Sequence, residues 1–337
     1  MQELSIDYSR CNETTFVCDP SAPDKGFGLI PDDAVSTYFK NNTNADTNKP
    51  TWCIDRTYVN PVPASNLNIS TPVCRIQFYI PDRLKPPVLL YYQLTNFYQN
   101  HRRYVKSFDQ QQLQGHARST KDIDGSDCDP LKLGEDNKPY YPCGLIANSK
   151  FNDTFSAPIA FNWPGIDTLN YTYPMTDDNI AWSSDADLYK KTDYNYSEVV
   201  PPPNWRERYP VYNDTFPFPS LHTDQAFQVW MRTAGLPTFS KLALRNDNVT
   251  MEIGRYQMDI QDCKSNHVRV TFAWSQLMPH LIDFPVTIYS GTKSILISTR
   301  TVMGGRNPFL GIAYIVVGGL CIILGALFTA THLIKPR

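Results

Sequence analysis

The chain has 337 residues, with 31 Lys and Arg against 33 Asp and Glu and a formal net charge of -2. That balance speaks against a nucleic-acid binder, which carries a basic excess or a basic stripe. Hydrophobic residues at 42% exclude general disorder, and 20 Tyr with 27 Pro point to a β-rich domain with long ordered connections, because Tyr suits pleated surfaces while Pro interrupts helices and central strands.

In chain order, the opening MQELSIDYSRC is neither a signal peptide nor a membrane helix, so a further segment is expected ahead of it to carry residues 1–307 across a bilayer. Residues 1–70 are polar and rich in Pro and Asn, and read as loops with short strands. Residues 74–80 (CRIQFYI) alternate and stop at Pro81, as a strand should, and residues 88–97 (VLLYYQLTNF) form a second strand. Residues 109–142 read as polar loop, and residues 198–220 are too proline-dense for regular elements. Residues 224–233 (DQAFQVWMRT) are the best helix, with Phe227, Trp230 and Met231 on one face. Strands come next at 239–244 and 254–260, then at 284–289 and 294–299 around a turn containing Gly291. No internal repeat is visible.

The end of the chain differs in kind. The run FLGIAYIVVGGLCIILGALFTATHL, residues 309–333, holds no Asp, Glu, Lys or Arg. A helix of this length, at about 1.5 Å per residue, crosses a hydrocarbon core of about 30 Å with some tilt. The expected organisation is therefore a domain over 1–307, a transmembrane helix over 308–334 and the start of a tail at 335–337. Lys335 and Arg337 put that tail in the cytosol and residues 1–307 on the lumenal or extracellular side. Two further signals agree with that side. Asn-x-Ser/Thr sequons begin at Asn12, Asn41, Asn68, Asn152, Asn170, Asn195, Asn213 and Asn248, against about three expected by chance. Seven of the eight Cys precede the apolar run without a close pair, which reads as disulfides in an oxidising compartment and not as a metal site.

Catalytic signatures are missing. The sequence has no G-x-S-x-G elbow, no H-E-x-x-H, no P-loop and no G-x-G-x-x-G, and its six His are scattered. The acidic pair Asp177 and Asp178 sits in a polar loop and reads as solvated surface. No catalytic residue, metal ligand or cofactor is expected.

Three stretches carry identity: LTNFYQNHRRYVKSF at 94–108, YPCGLIANSKFNDTF at 141–155, and GGRNPFLG at 304–311, which runs into the apolar helix. PPPNW at 201–205, WMRTAGLP at 230–237, GRYQMDI at 254–260 and GTKS at 291–294 agree with them. Together they resemble the cell-cycle-control-protein-50 family, also called the ligand-effect-modulator family, over nearly the whole chain. The resemblance implies a non-catalytic accessory β-subunit of a type-IV P-type ATPase, a phospholipid flippase. It implies a mainly β fold, an antiparallel sandwich-like ectodomain with long disulfide-linked, glycosylated loops and few helices, held between two membrane spans. Such a subunit sits over the outer face of its ATPase, within membranes of the secretory and endosomal route. It lets the ATPase fold, leave the endoplasmic reticulum and run its cycle. Membrane lipids and the ATPase are the implied partners.

Residue by residue, the resemblance pairs Cys11 with Cys74 and Cys128 with Cys143, and matches Asn152, Asn170 and Asn195 to glycan positions. Parity and proximity suggest a third bridge, Cys18 to Cys53, nested inside the first. Arg102 and Arg103 have two readings: contacts with the ATPase or a lipid headgroup, for which a guanidinium fork is suited, or ion pairs within the domain that hold its long loops, the plainer expectation. Arg306 is a further candidate partner contact. Gly311, Gly318 and Gly325 recur every seven residues beside Tyr314 and Cys321, a stripe that would let another membrane helix approach closely.

Two features depart from the family pattern. The chain starts where the family's first membrane span should just have ended, and residues 261–281 (QDCKSNHVRVTFAWSQLMPHL) look inserted, bringing the odd Cys263. On composition alone, a single-pass receptor or adhesion ectodomain is the alternative, and a membrane-anchored hydrolase a third reading. The long motifs separate the first reading from the second, and the missing catalytic constellation speaks against the third.

Overall fold

The computed structural model describes residues 2–19, 25–41, 48–56, 59–61, 68–70, 72–161, 170–206, 208–261, 286–299 and 308–334. The chain divides into one unit over Met1–Thr299 and a second over Arg300–Arg337. The first holds the strands β1 (Glu3–Asp7), β2 (Gly28–Leu29), β3 (Val35–Tyr38), β4 (Thr51–Asp55), β5 (Val59–Pro61), β6 (Asn68–Ser70), β7 (Val73–Ile80), β8 (Val88–Leu94), β9 (Thr154–Phe155), β10 (Ile159–Phe161), β11 (Asn170–Thr172), β12 (Phe239–Asn246), β13 (Gly254–Gln261) and β14 (Lys293–Ser298). Its helices are short: α1 (Arg102–Lys106), α2 (Gln110–Leu113), α3 (Thr120–Asp124), α4 (Leu145–Asn148), α5 (Ser183–Ala186) and α6 (Gln225–Met231). The second unit holds α7 (Pro308–Ile334).

Two antiparallel sheets form the body. One runs β12-β8-β14-β1-β3, and the other runs β11-β10-β13-β7-β4-β2 with β9 added along β13; β5 and β6 make a separate ribbon. Strand periodicity decides their inner faces. In β1, Leu4 and Ile6 are buried while Glu3, Ser5 and Asp7 are only half-buried, and β8 alternates in the same way along VLLYYQL. Leu4, Ile6, Val88, Leu90, Ile295 and Ile297 of the first sheet meet Ile76, Phe78, Ile80, Tyr256, Met258 and Ile260 of the second in one core. Each such side chain contributes about 1.5–3 kcal/mol on full burial. The sheets are thus the two layers of a β-sandwich.

Disulfides clamp this sandwich from both sides of one strand pair. Cys11 bonds Cys74, Cys18 bonds Cys53 and Cys128 bonds Cys143. Cys74 lies opposite Ile54 across β4 and β7, on the core face, whereas Cys53 lies opposite Arg75, on the outer face. Residues directly opposed across a ladder share a face, so the first two bridges lie on opposite faces of the same sheet.

Between β8 and β12 the chain leaves the sandwich and builds a second body from loops. Its cores explain the tyrosine content. Tyr141, Tyr189, Tyr194 and Tyr212 pack with Leu113, Leu221 and Phe227. Their hydroxyls can reach the backbone of segments that lack ladders: Tyr212 donates to the Tyr141 carbonyl at 2.7 Å and Tyr194 to the Arg118 carbonyl at 2.9 Å. Burial pushes the Tyr212 phenol well above its ordinary range, so it stays a neutral donor.

Three expectations need correction. The strand expected over 284–289 is a 3-10 turn at Val286–Tyr289, with residues 284 and 285 outside the described ones. Val286 packs into the loop-side core, Gly291 N donates to Val286 O at 2.7 Å, and Ser290 takes a left-handed φ of 53°. A turn satisfies the backbone there without a neighbouring strand. The strand expected over 88–97 stops at Leu94, because Asn96 adopts φ 57°. The polar stretch 109–142 is not loop throughout. Asp109 caps α2 and a Ser119–Asp122 capping box opens α3, while Gln112 and Ile123 are buried. The segment expected to be inserted, 261–281, lies outside the described residues beyond Gln261, as do Cys263 and Arg306.

Candidate functional site

The long motifs meet in space. Trp230 is fully buried, and its indole Nε1 donates to Ile146 O at 2.8 Å, joining the segment 230–237 to 141–155. Phe97 N donates to Pro237 O at 3.0 Å, Ala234 N to the Gln99 side chain at 2.9 Å, and the Asn100 amide to Gly235 O at 3.0 Å, joining 94–108 to the same turn. Tyr92, Leu94, Tyr104, Ile146, Phe151, Trp230, Phe239 and Val286 form the shared core. Phe151 and Phe155 take part in it, as their apolar character in the second motif requires.

A second junction ties both ends of the first unit to its middle. Asp153 and Lys293 form an ion pair at 2.7 Å with side chains 0% and 2% exposed, and Tyr8 donates to the same Asp153 oxygen at 2.8 Å. Tyr8 comes just after β1, Asp153 precedes β9 and Lys293 opens β14. Alternation along KSILIS puts Lys293 on the same face as Ile295 and Ile297. A charge in that position is tolerated only because it is paired. The strand pattern carried the signal for this buried lysine, and motif reading missed it.

On the outside of the motif core stands α1. Tyr104 anchors it: its hydroxyl shares a 2.8 Å hydrogen bond with Ser149, and burial pushes its phenol up to about 12. His101, Arg102, Arg103, Val105 and Lys106 are exposed around that anchor, and Tyr98 stands 55% exposed just before it. Among the described residues neither Arg102 nor Arg103 makes an ion pair or a hydrogen bond, so the expected pairing within the domain is absent. What remains is a small cationic surface with an aromatic beside it.

The sequons fall into two groups. Asn41, Asn170, Asn195 and Asn248 are exposed, and Asn12, Asn152 and Asn213 are half-buried. Asn68 lies in β6, and its side chain is outside the described ones. Asp177 and Asp178 are exposed, and no group of three His, Cys, Asp or Glu poised to hold a metal occurs among the described residues.

In the second unit, Gly311–Ile334 is long and apolar enough to cross a membrane. A Cβ at Gly311, Gly318 or Gly325 would meet nothing within 4 Å. Thr329 and Thr331 turn their hydroxyls back onto helix carbonyls, which satisfies them without water.

A model of the LEM3 (ligand-effect modulator 3) family / CDC50 family matches residues 1–337. The phospholipid-transporting ATPase accessory subunit CDC50 of Chaetomium thermophilum is 38% identical over 342 residues, covering 100% of this chain and 77% of that protein. The phospholipid-transporting ATPase accessory subunit CRF1 of Saccharomyces cerevisiae is 36% identical over 338 residues, covering 100% and 74%. Cell cycle control protein 50B of Homo sapiens is 36% identical over 278 residues, covering 77% and 70%.

Proposed function

Because this chain belongs to the LEM3 (ligand-effect modulator 3) family / CDC50 family, we propose that it is the non-catalytic accessory subunit of a phospholipid-transporting ATPase of the type-IV P-type class. The observation that carries this reading is the match, over the whole of this chain, to relatives named phospholipid-transporting ATPase accessory subunits. The structure supports it through its interlocked motif residues, which join segments far apart in sequence, as suits a chain whose work is to hold a partner. In this reading the sandwich and its loop body lie on the lumenal or extracellular side and carry N-glycans. The helix Pro308–Ile334 crosses the bilayer, its glycine stripe against another membrane helix. Arg102 and Arg103 contact the ATPase, Arg306 the ATPase or the lipid surface. The complex forms in the endoplasmic reticulum and works along the secretory and endosomal membranes, supporting phospholipid asymmetry.

The test is affinity purification of the full-length protein in mild detergent with mass spectrometry of the proteins that accompany it. A multi-span ATPase in near-equal amount supports the reading. A protein that comes down alone, under conditions that keep other such complexes together, overturns it in favour of the single-pass receptor or adhesion reading. Charge reversal at Arg102 and Arg103 lowers the co-purified ATPase several-fold while the fold persists.

A further inference from the structure

Outside the motif core, where α5, α6 and β12 meet, lies a partly open cavity of about 270 Å³. Its lining includes Trp182, Asp185, Arg232, Phe239, Ser240 and Lys241. Two cations share this space with one carboxylate. The Arg232 guanidinium lies 3.6 Å over the Trp182 indole, which is itself 68% exposed, and binds one oxygen of Asp185 at 2.6 Å. The Lys241 ammonium donates to the carbonyls of Val229 at 2.8 Å, of Trp230 at 3.0 Å and of Arg232. All three protons of the ammonium form are therefore engaged. Asp185 is 5% exposed and its second oxygen, Oδ2, has no hydrogen-bond partner.

We infer that this cavity is a binding site for a protonated oxyanion, hydrogen phosphate. Arg232 has five N–H donors in a planar fork and meets only Asp185 through one of them among the described contacts, so donors remain for two anion oxygens. The unmatched acceptor sets the selectivity. An anion that still carries a proton can donate it to Asp185 Oδ2, reached as the half-exposed Arg232 swings from the carboxylate towards the ligand. A fully ionised anion of the same charge has no proton to give and sets only lone pairs against that oxygen. Hydrogen phosphate keeps a proton near pH 7 and sulfate does not, so the two, alike in size and shape, are told apart by a single hydrogen bond. The charge balance of the cavity agrees with an anion: burial pushes the Lys241 ammonium down to about 7 and the neighbouring Arg232 adds repulsion, both of which a bound anion relieves. Among the described residues Asp185 is the only carboxylate lining the cavity, and it pairs with Arg232.

The experiment titrates the full chain in detergent with sodium phosphate, and separately with sodium sulfate at matched ionic strength, monitoring tryptophan fluorescence. Trp182→Phe identifies the part of the signal that belongs to the cavity. Phosphate gives a saturable change that sulfate does not reproduce. Arg232→Gln weakens phosphate binding about tenfold or more, the factor expected for a charge-assisted contact. Asp185→Asn, whose amide donates, admits sulfate. Equal responses to phosphate and sulfate in the unmodified protein, no saturable response to phosphate, or a phosphate affinity unmoved by Arg232→Gln each overturn the inference. The first two need no variant, so they hold even if a substitution impairs folding.

Discussion

Replacing Lys293 by Met removes one member of the Tyr8–Asp153–Lys293 junction while keeping the length and most of the volume of the side chain. Asp153 then stays fully buried after losing this cation, with the Tyr8 hydroxyl still donating to it. Breaking a buried ion pair from one side costs about 3–5 kcal/mol, because the remaining charge has lost its counterion and cannot regain water. Against a total stability of about 5–15 kcal/mol this is a large fraction. The double variant Lys293→Met with Asp153→Asn removes both charges and keeps an acceptor for Tyr8, so its loss is smaller, about 1–3 kcal/mol. Urea unfolding of the oxidised full chain, read by tryptophan fluorescence, gives both numbers. A single variant that loses less than about 1 kcal/mol, or a double variant that loses as much as the single, refutes the claim that loss of the Lys293 cation sets the cost.

Cys18→Ser with Cys53→Ser opens a loop of 35 residues and lowers stability by about 4 kcal/mol in the chain-entropy account, while Cys128→Ser with Cys143→Ser opens one of 15 and costs about 3 kcal/mol; denaturation midpoints of the two pairs check the order. Lys241 gives a pH signature. Burial lowers its folded pKa to about 7, whereas an unfolded lysine titrates near 10.5. Below pH 7 it is charged in both states and the burial cost is fully present. As pH rises from about 7 towards 10 the folded state releases its proton, the unfolded state keeps it, and stability increases. Lys241→Met abolishes that rise; a flat profile in the unmodified protein between pH 7 and 9 would mean that its three carbonyl partners hold the proton in place.

The sandwich was legible wherever a strand had one wet face and one dry one. The regions 74–80, 239–244 and 254–260 lie within β7, β12 and β13, because period-two alternation and bounding Pro or Gly mark such strands. The helix at 224–233 is α6, capped by Asp224 with Phe227 and Trp230 buried. What misled was locality. Residues 284–289 have strand composition, yet Val286 finds its neighbours in Tyr92 and Trp230, far away in sequence, and packs as a turn. Residues 109–142 are polar, yet Gln112 is buried because its amide donates to Tyr140 O and accepts from Cys143 N. A polar residue with both ends matched by backbone is a core residue that hydropathy does not reveal. Arg102 and Arg103 show the converse. Their charges suggested internal pairing, and only the three-dimensional surroundings leave them without a carboxylate.

The motifs that identify the family are therefore chiefly interlocking parts. Gln99, Asn100, Tyr104, Asp153, Trp230 and Lys293 all point inward or onto backbone, each closing a hydrogen bond or an ion pair between segments far apart in sequence. Most of the loop body lacks ladders, so its backbone groups depend on such side chains for partners. A chain of this kind cannot hold its surface in place through sheets alone. The exposed cations of α1 have a defined position because Tyr104, beneath them, is fixed to Ser149 and packed edge-on against Phe97 at 5.7 Å. Tyr104→Phe separates the two roles: it keeps the ring contact and removes the hydroxyl. If positioning works through that hydrogen bond, Tyr104→Phe lowers ATPase co-purification although every exposed residue of α1 is unchanged. If co-purification stays at the unmodified level while Arg102 and Arg103 reversal reduces it, the ring packing alone holds α1, and the hydroxyl serves only as a partner for Ser149 and Gln99.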